Sequence, residues 1–167
     1  VSAESHCRID VLDGRIEIPD AYADLQQNIA GLSGDVLFSV TDADVVAAAA
    51  EPQFAARFAF DLSPEASATY GAELMSALFK PFRLSCDDQE LFVGVVYYED
   101  GQAPLETPVL HVRQLADNAV VLELGAWEGA WTEEEAFAGD QDAERVRIDR
   151  PELRAAFCAR GILSQFD

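Results

Sequence analysis

The sequence predicts a single α+β domain over residues 1–167. Its expected form is a mostly antiparallel sheet of 5–7 strands built from hairpins, with 3–4 helices packed mainly on one face. Three observations carry this expectation. Half of the residues are hydrophobic and phenylalanine occurs ten times, enough for one substantial core. Apolar runs in the second half are separated by short polar turns, which favour antiparallel pairing. Helical periodicity gathers in the first half, so helices laid against one sheet are the economical arrangement.

The elements follow from local chemistry. Residues 8–18 read as a hairpin, because Asp13-Gly14 sits between Ile9/Val11 and Ile16/Ile18. Pro19-Asp20 opens a helix in which Tyr22, Leu25, Ile29 and Leu32 recur at helical spacing, and Gly31 and Gly34 mark its end. Residues 36–40 form a short strand. Thr41 or Asp42 can cap a helix over residues 43–50, interrupted by Pro52, and a further helical piece is expected to hold Phe54 and Phe58.

Ser63-Pro64-Glu65 is a clean helix start: a capping hydroxyl, a proline at the first position and an acid against the dipole. Tyr70, Leu74 and Leu78 make its stripe, with Met75 and Phe79 alongside, and Pro81 stops it. Residues 83–86 and 91–99 pair around Asp87-Asp88-Gln89. Residues 91–98 are apolar on both faces and should be central. Asp100-Gly101 turns the chain. Residues 108–115 and 119–124 pair around Asp117-Asn118, and residues 145–148 suit an edge strand. Asp149 and Glu152 resemble a capping pair for a last helix with Leu153, Ala156 and Phe157 inward, closed by Gly161.

Charge narrows the function. The net charge of −20, from 31 acids and 11 bases, repels nucleic acid and anionic membrane and favours cations or basic proteins. Lys80 is the single lysine, and alanine is abundant. That is the composition of a GC-rich bacterial coding sequence, with salt adaptation as the rival reading. No apolar run approaches the ~20 residues that span a bilayer. A cytoplasmic location is expected, with a removed signal peptide as the alternative.

Residues 128–144 carry seven acids and no base, and five arginines follow: Arg145, Arg147, Arg150, Arg154 and Arg160. Mutual neutralisation is one use of that juxtaposition. Contact with a partner is the other. Trp127 and Trp131 flank Gly129 just before the acids. Aromatics beside carboxylates anchor and steer an interface, although two tryptophans can equally seal the end of a core.

Catalytic and cofactor motifs are weak. The alternating acids of Asp140-Gln141-Asp142-Ala143-Glu144 lack the EF-hand glycine and glutamate, since those positions hold Arg145 and Pro151. No metal site and no cofactor are therefore expected. The three cysteines, Cys7, Cys86 and Cys158, are too few and too widely spaced for a disulfide framework. They read as two buried thiols and one near the N-terminus, with a Cys7–Cys158 bridge as a bare option. A Cys86–His111 couple could act as nucleophile and base, but no local signature supports it.

The leading expectation is an acidic, non-catalytic binding protein that masks a basic protein partner, of the physical type seen in immunity-type inhibitors of bacterial toxins. Its contact residues would be Trp127, Trp131, Glu133, Glu134, Glu135, Asp140 and Asp142. The alternative is a small enzyme or ligand-binding domain, with Tyr97, Tyr98, His111 and Cys86 lining a pocket between sheet and helices. A homo-oligomeric structural protein is the third.

Overall fold

The computed structural model describes residues 6–16, 22–50, 57–97, 108–126 and 150–165. In chain order these form β1 (Cys7–Leu12), α1 (Tyr22–Ala30), β2 (Val36–Thr41), a 3-10 turn (Asp42–Asp44), β3 (Val45–Ala50) and β4 (Arg57–Leu62). There follow α2 (Pro64–Met75), β5 (Pro81–Cys86), β6 (Gln89–Tyr97), β7 (Pro108–Gln114), β8 (Val120–Ala126), α3 (Pro151–Ala159) and β9 (Leu163–Gln165). All nine strands belong to one sheet, ordered β2-β1-β5-β6-β7-β8-β4-β3-β9.

This overturns the expected 5–7-stranded antiparallel sheet of hairpins. The fold is mostly sheet, and the pairing is mixed: β6 runs parallel to β7, and β3 parallel to β9. The sheet is also curled into a half-barrel. Connectivity explains the curl. β2 stands first and β3 eighth, so a flat sheet would separate them by seven strand spacings, about 34 Å. Only the three residues Asp42–Asp44 join them, a link that reaches at most about 15 Å. The two edges of the sheet must therefore bend toward one another.

Several local expectations hold. Ser63 Oγ accepts the Ala66 N–H at 3.1 Å and Pro64 opens α2. Leu25 is fully buried in α1, and Ile29 and Leu32 pack on the core. The β5–β6 and β7–β8 hairpins form at the expected turns, with left-handed Asp87, Asp88 and Asn118. Leu153, Ala156 and Phe157 are the buried residues of α3, and Gly161 (φ 70°) follows it.

Others fail for tertiary reasons. No hairpin forms over residues 8–16. β1 pairs instead with β2 and β5, and the Ile16 N–H donates to the Phe79 carbonyl at 2.9 Å. The cap at Thr41 supports one 3-10 turn, in which the Thr41 N–H donates to Asp44 Oδ2 at 2.9 Å, and the alanines then run as β3. Alanine is the best helix former, yet Ala48 and Ala50 lie opposite Phe60 and Phe58 of β4. Two buried phenylalanines need small partners, and β3 gains backbone partners on both sides, β4 and β9. Phe58 is accordingly in a strand. α2 stops at Met75, and Phe79 sits in a loop at φ 65°. Pro19-Asp20, Phe54, Asp100-Gly101, residues 145–148 and Asp149 lie outside the described residues.

The core joins Phe58 and Phe60 of β4 to Phe82, Leu84 and Phe92 of β5 and β6 and to Leu110, Leu122 and Leu124 of β7 and β8. Phe60 stacks on Phe157 of α3 (ring centroids 5.0 Å apart). Gly94 makes the centre of the sheet possible. It lies opposite Phe82, and a Cβ there would stand 2.3 Å from the Pro108 carbonyl oxygen and 2.5 Å from the Phe82 ring. Backbone cannot yield as a side-chain tip can. Gly94→Ala is expected to cost about 3 kcal/mol or more of stability, read as a loss of folded protein in a denaturant melt. A melt like that of the parent would refute this account of the packing.

Candidate functional site

Two buried carboxylates organise the polar chemistry of the described residues. Asp42, with its side chain wholly buried, sits in the turn between β2 and β3. Its Oδ1 accepts the His6 and Cys7 N–H groups at 2.8 and 2.9 Å, and its Oδ2 accepts Arg160 Nε at 2.6 Å. One side chain thus ties the start of β1, the link between the sheet edges and the end of α3. Read from sequence as a helix cap, Asp42 is instead a long-range clamp.

Asp10 lies on the opposite face of β1 from Ile9 and Val11. Its cross-strand partners are Ser39 on β2 and Arg83 on β5. Ser39 Oγ donates to Oδ1 at 2.5 Å, Arg83 donates through its terminal nitrogen at 3.1 Å, and Arg8 Nε stands 3.2 Å away. Burial alone would push the Asp10 carboxyl up. The Ser39 hydroxyl, Arg83 and Arg8 together outweigh it and hold the carboxyl below its ordinary value.

The cysteines overturn their expected roles. Cys7 and Cys86, 79 residues apart, are opposed in the β1–β5 ladder and form a disulfide (S–S 2.06 Å). Cys158 is free and exposed, so no Cys7–Cys158 bridge exists. Nor can Cys86 serve His111 as a nucleophile. Its sulfur is bridged, and His111 sits beside Tyr97 at the far end of β6, about 26 Å along the strand from Gln89, the partner of Cys86.

Cavities are modest. An apolar void of about 20 Å³, lined by Ile9, Val45, Phe60, Leu84, Leu122 and Phe157 among others, is on the scale of a single water. A cleft of about 410 Å³ opens between α2 and the β7–β8 turn. Neither Cys86 nor His111 lines either one. Among the described residues, no group of three His, Cys, Asp or Glu side chains is placed to hold a metal ion. No helix is long and apolar enough to cross a membrane among the described residues.

The expected contact residues Trp127, Trp131, Glu133, Glu134, Glu135, Asp140 and Asp142 lie outside the described residues, as does Tyr98. What the structure does show is where the positive charge goes. Arg8 and Arg83 serve Asp10, Arg8 also reaches Asp88 at 3.6 Å, His6 Nδ1 stands 3.2 Å from Asp87, and Arg160 serves Asp42. Arg113 meets Glu123 at 2.6 Å and Arg150 meets Glu152 at 3.8 Å. Arg15 and Arg154 lie over the Phe79 and Phe58 rings. Meanwhile Asp13, Asp24, Asp35, Asp61, Glu65, Glu73, Asp87, Asp88, Glu90 and Asp117 are exposed. Sequence alone gave the surplus of acid but not this division, which depends on strand register.

Comparison with protein-family models, with curated proteins and with solved structures finds no match to this chain.

The Asp10 cluster carries a pH signature. A depressed folded value contributes stability that is complete above the ordinary carboxylate range, about pH 4, and is lost as pH falls toward the folded value. Asp10→Asn is expected to lose about 1–3 kcal/mol at pH 7, moderated by the partial exposure of Arg8 and Arg83. The gap from the parent should close as pH drops below about 4. A gap independent of pH would contradict the assignment. Replacing both Cys7 and Cys86 by serine should remove about 2–4 kcal/mol, because the bridge constrains a long loop of the unfolded chain. Adding a reductant to the unfolded parent should bring its refolding stability to the same level, and identical melts with and without reductant would mean that the bond is not formed.

Proposed function

We propose that this chain is an acidic, non-catalytic binding protein that captures and masks a basic protein partner, in the manner of an immunity-type inhibitor of a bacterial toxin. The observation that supports this most is the division of charge. Arg8, Arg83 and Arg160 are engaged with buried carboxylates, Arg113 and Arg150 with single surface acids, and Arg15 and Arg154 with aromatic rings, while a broad set of carboxylates stays exposed. A chain of net charge −20 built this way presents uncompensated negative potential to its surroundings. Such a field raises the encounter rate with a cationic partner, an effect that weakens as salt rises.

Chemistry supports the non-catalytic half. Asp10 and Asp42 accept bonds from arginines and backbone, and Cys86 is locked in a disulfide. These groups serve cohesion. Trp127, Trp131, Glu133, Glu134, Glu135, Asp140 and Asp142 remain the proposed anchors and steering charges. The Cys7–Cys86 bridge favours an oxidising compartment over the cytoplasm, where thiols are kept reduced.

The test is capture followed by a salt series. The full chain, immobilised, should retain a basic protein from the source organism, and the purified pair should lose affinity steeply between low and physiological salt. Trp131→Ala and the triple change Glu133→Gln, Glu134→Gln, Glu135→Gln should each weaken the pair at least tenfold, the triple change mainly by slowing association. Affinity indifferent to salt would sink the proposal.

A further inference from the structure

The cleft between α2 and the β7–β8 turn is built differently from the rest of the surface. A helix packed on a sheet normally turns polar residues to solvent. α2 does not do so along one line. Pro64, Ala68, Ala72 and Met75 follow one another at helical spacing and are all exposed. Its buried residues, Ala66, Ser67, Gly71 and Leu74, occupy the neighbouring face. Pro64, Ala68 and Ala72 form one wall of the 410 Å³ cleft, with Gly71 beside them, and the small side chains are what leave it open.

The opposite wall is polar. Gln114, Asp117 and Asn118 belong to the turn that joins β7 to β8. Asp117 Oδ1 accepts the Ala119 N–H at 3.2 Å. An ionised carboxylate has about four acceptor positions, and among the described residues Asp117 fills one of them. Glu65 and Asp61 are exposed on residues that adjoin the cleft in sequence. Among the described residues, no arginine or lysine lines it. An apolar wall facing an under-used carboxylate matches a side chain with an aliphatic stem and a cationic head.

We propose that this cleft seats an arginine or lysine side chain projecting from the basic partner, its stem on Pro64, Ala68 and Ala72 and its charge at Asp117. The inference rests on the basic-partner reading and adds a place for the anchor. A second copy of this chain is a poor occupant. Both copies carry −20, so like charge opposes their approach.

The experiment is an amide-resolved NMR titration of the full chain at low salt with acetyl-Gly-Arg-Gly-amide. The control is the same peptide with citrulline, which keeps the shape and removes the charge. Expected are shifts confined to Ala68, Ala72 and residues 117–119 with the arginine peptide and at least tenfold weaker binding of the citrulline peptide. Asp117→Asn, which keeps the turn bond, should weaken the arginine peptide by a similar factor. Ala68→Leu, a favourable helix residue that fills the cleft, should abolish the shifts while the rest of the spectrum stays unchanged. Shifts elsewhere with a silent cleft would overturn this inference and leave the basic-partner reading standing. Capture of a basic protein that is unaffected by Ala68→Leu would do the same. Failure of any cationic probe to bind at low salt would remove both.

Discussion

Closure of the curled sheet at Asp42 is the constraint on which the rest of the structure depends. Three residues join strands that stand seven places apart in the sheet, so the chain has no flat alternative. The corner is held by the carboxylate of Asp42, which gathers two backbone N–H groups from the start of β1 and the guanidinium of Arg160 beyond α3. A buried carboxylate is costly unless its oxygens are satisfied. Here three charge-assisted bonds supply that satisfaction and fix three distant pieces of chain at once. Phe157 can then stack on Phe60, and Leu153 is buried beside the same void as Cys7 and Ile9.

The β1–β5 ladder repeats the principle with different chemistry. On one face of β1, Asp10 unites Ser39 and Arg83 across two neighbouring strands. At its start, Cys7 is bonded to Cys86. A strand near the edge of a sheet has few partners to hold it. β1 is instead held on both sides and at its start by an ion cluster, a covalent bond and the Asp42 clamp. These devices draw on three arginines, Arg8, Arg83 and Arg160, in a chain with little positive charge. The surface inherits the remainder, a field of carboxylates, and the α2 cleft places one of them opposite a wall of small apolar side chains.

The candidate site was legible only in its charge. The acid excess, the absence of a trusted catalytic motif and the tryptophans beside Glu133–Glu135 can all be read along the chain. The α2 cleft could not, because its walls come from residues 62–72 and 114–119, which meet only when β4 and β8 pair. One hint was present: Pro64, Ala68 and Ala72 lie at helical spacing with no polar residue among them. It means little until the structure shows that face to be exposed. The disulfide was likewise invisible, since a separation of 79 residues carries no spacing signal and only the register of β1 on β5 opposes the two sulfurs.

By itself the sequence determined what depends on a few neighbouring residues. The Ser63-Pro64 start of α2, the Asp87-Asp88 and Asp117-Asn118 turns, the buried stripe of α3 and the apolar, near-central β6 all follow from capping, turn chemistry and periodicity. Tertiary structure decided what depends on partners. The alanines of β3 became strand because Phe58 and Phe60 lie opposite and β9 pairs on the other side. Asp13-Gly14 opened no hairpin because β2 and β5 flank β1 on both sides. Strand order, the parallel pairs and the curl were settled in the same way. Local preferences are worth a few tenths of a kcal/mol to about 1 kcal/mol per residue. Burying a phenylalanine or completing a ladder outweighs them, and the identity of the partner strand is written nowhere in the local sequence.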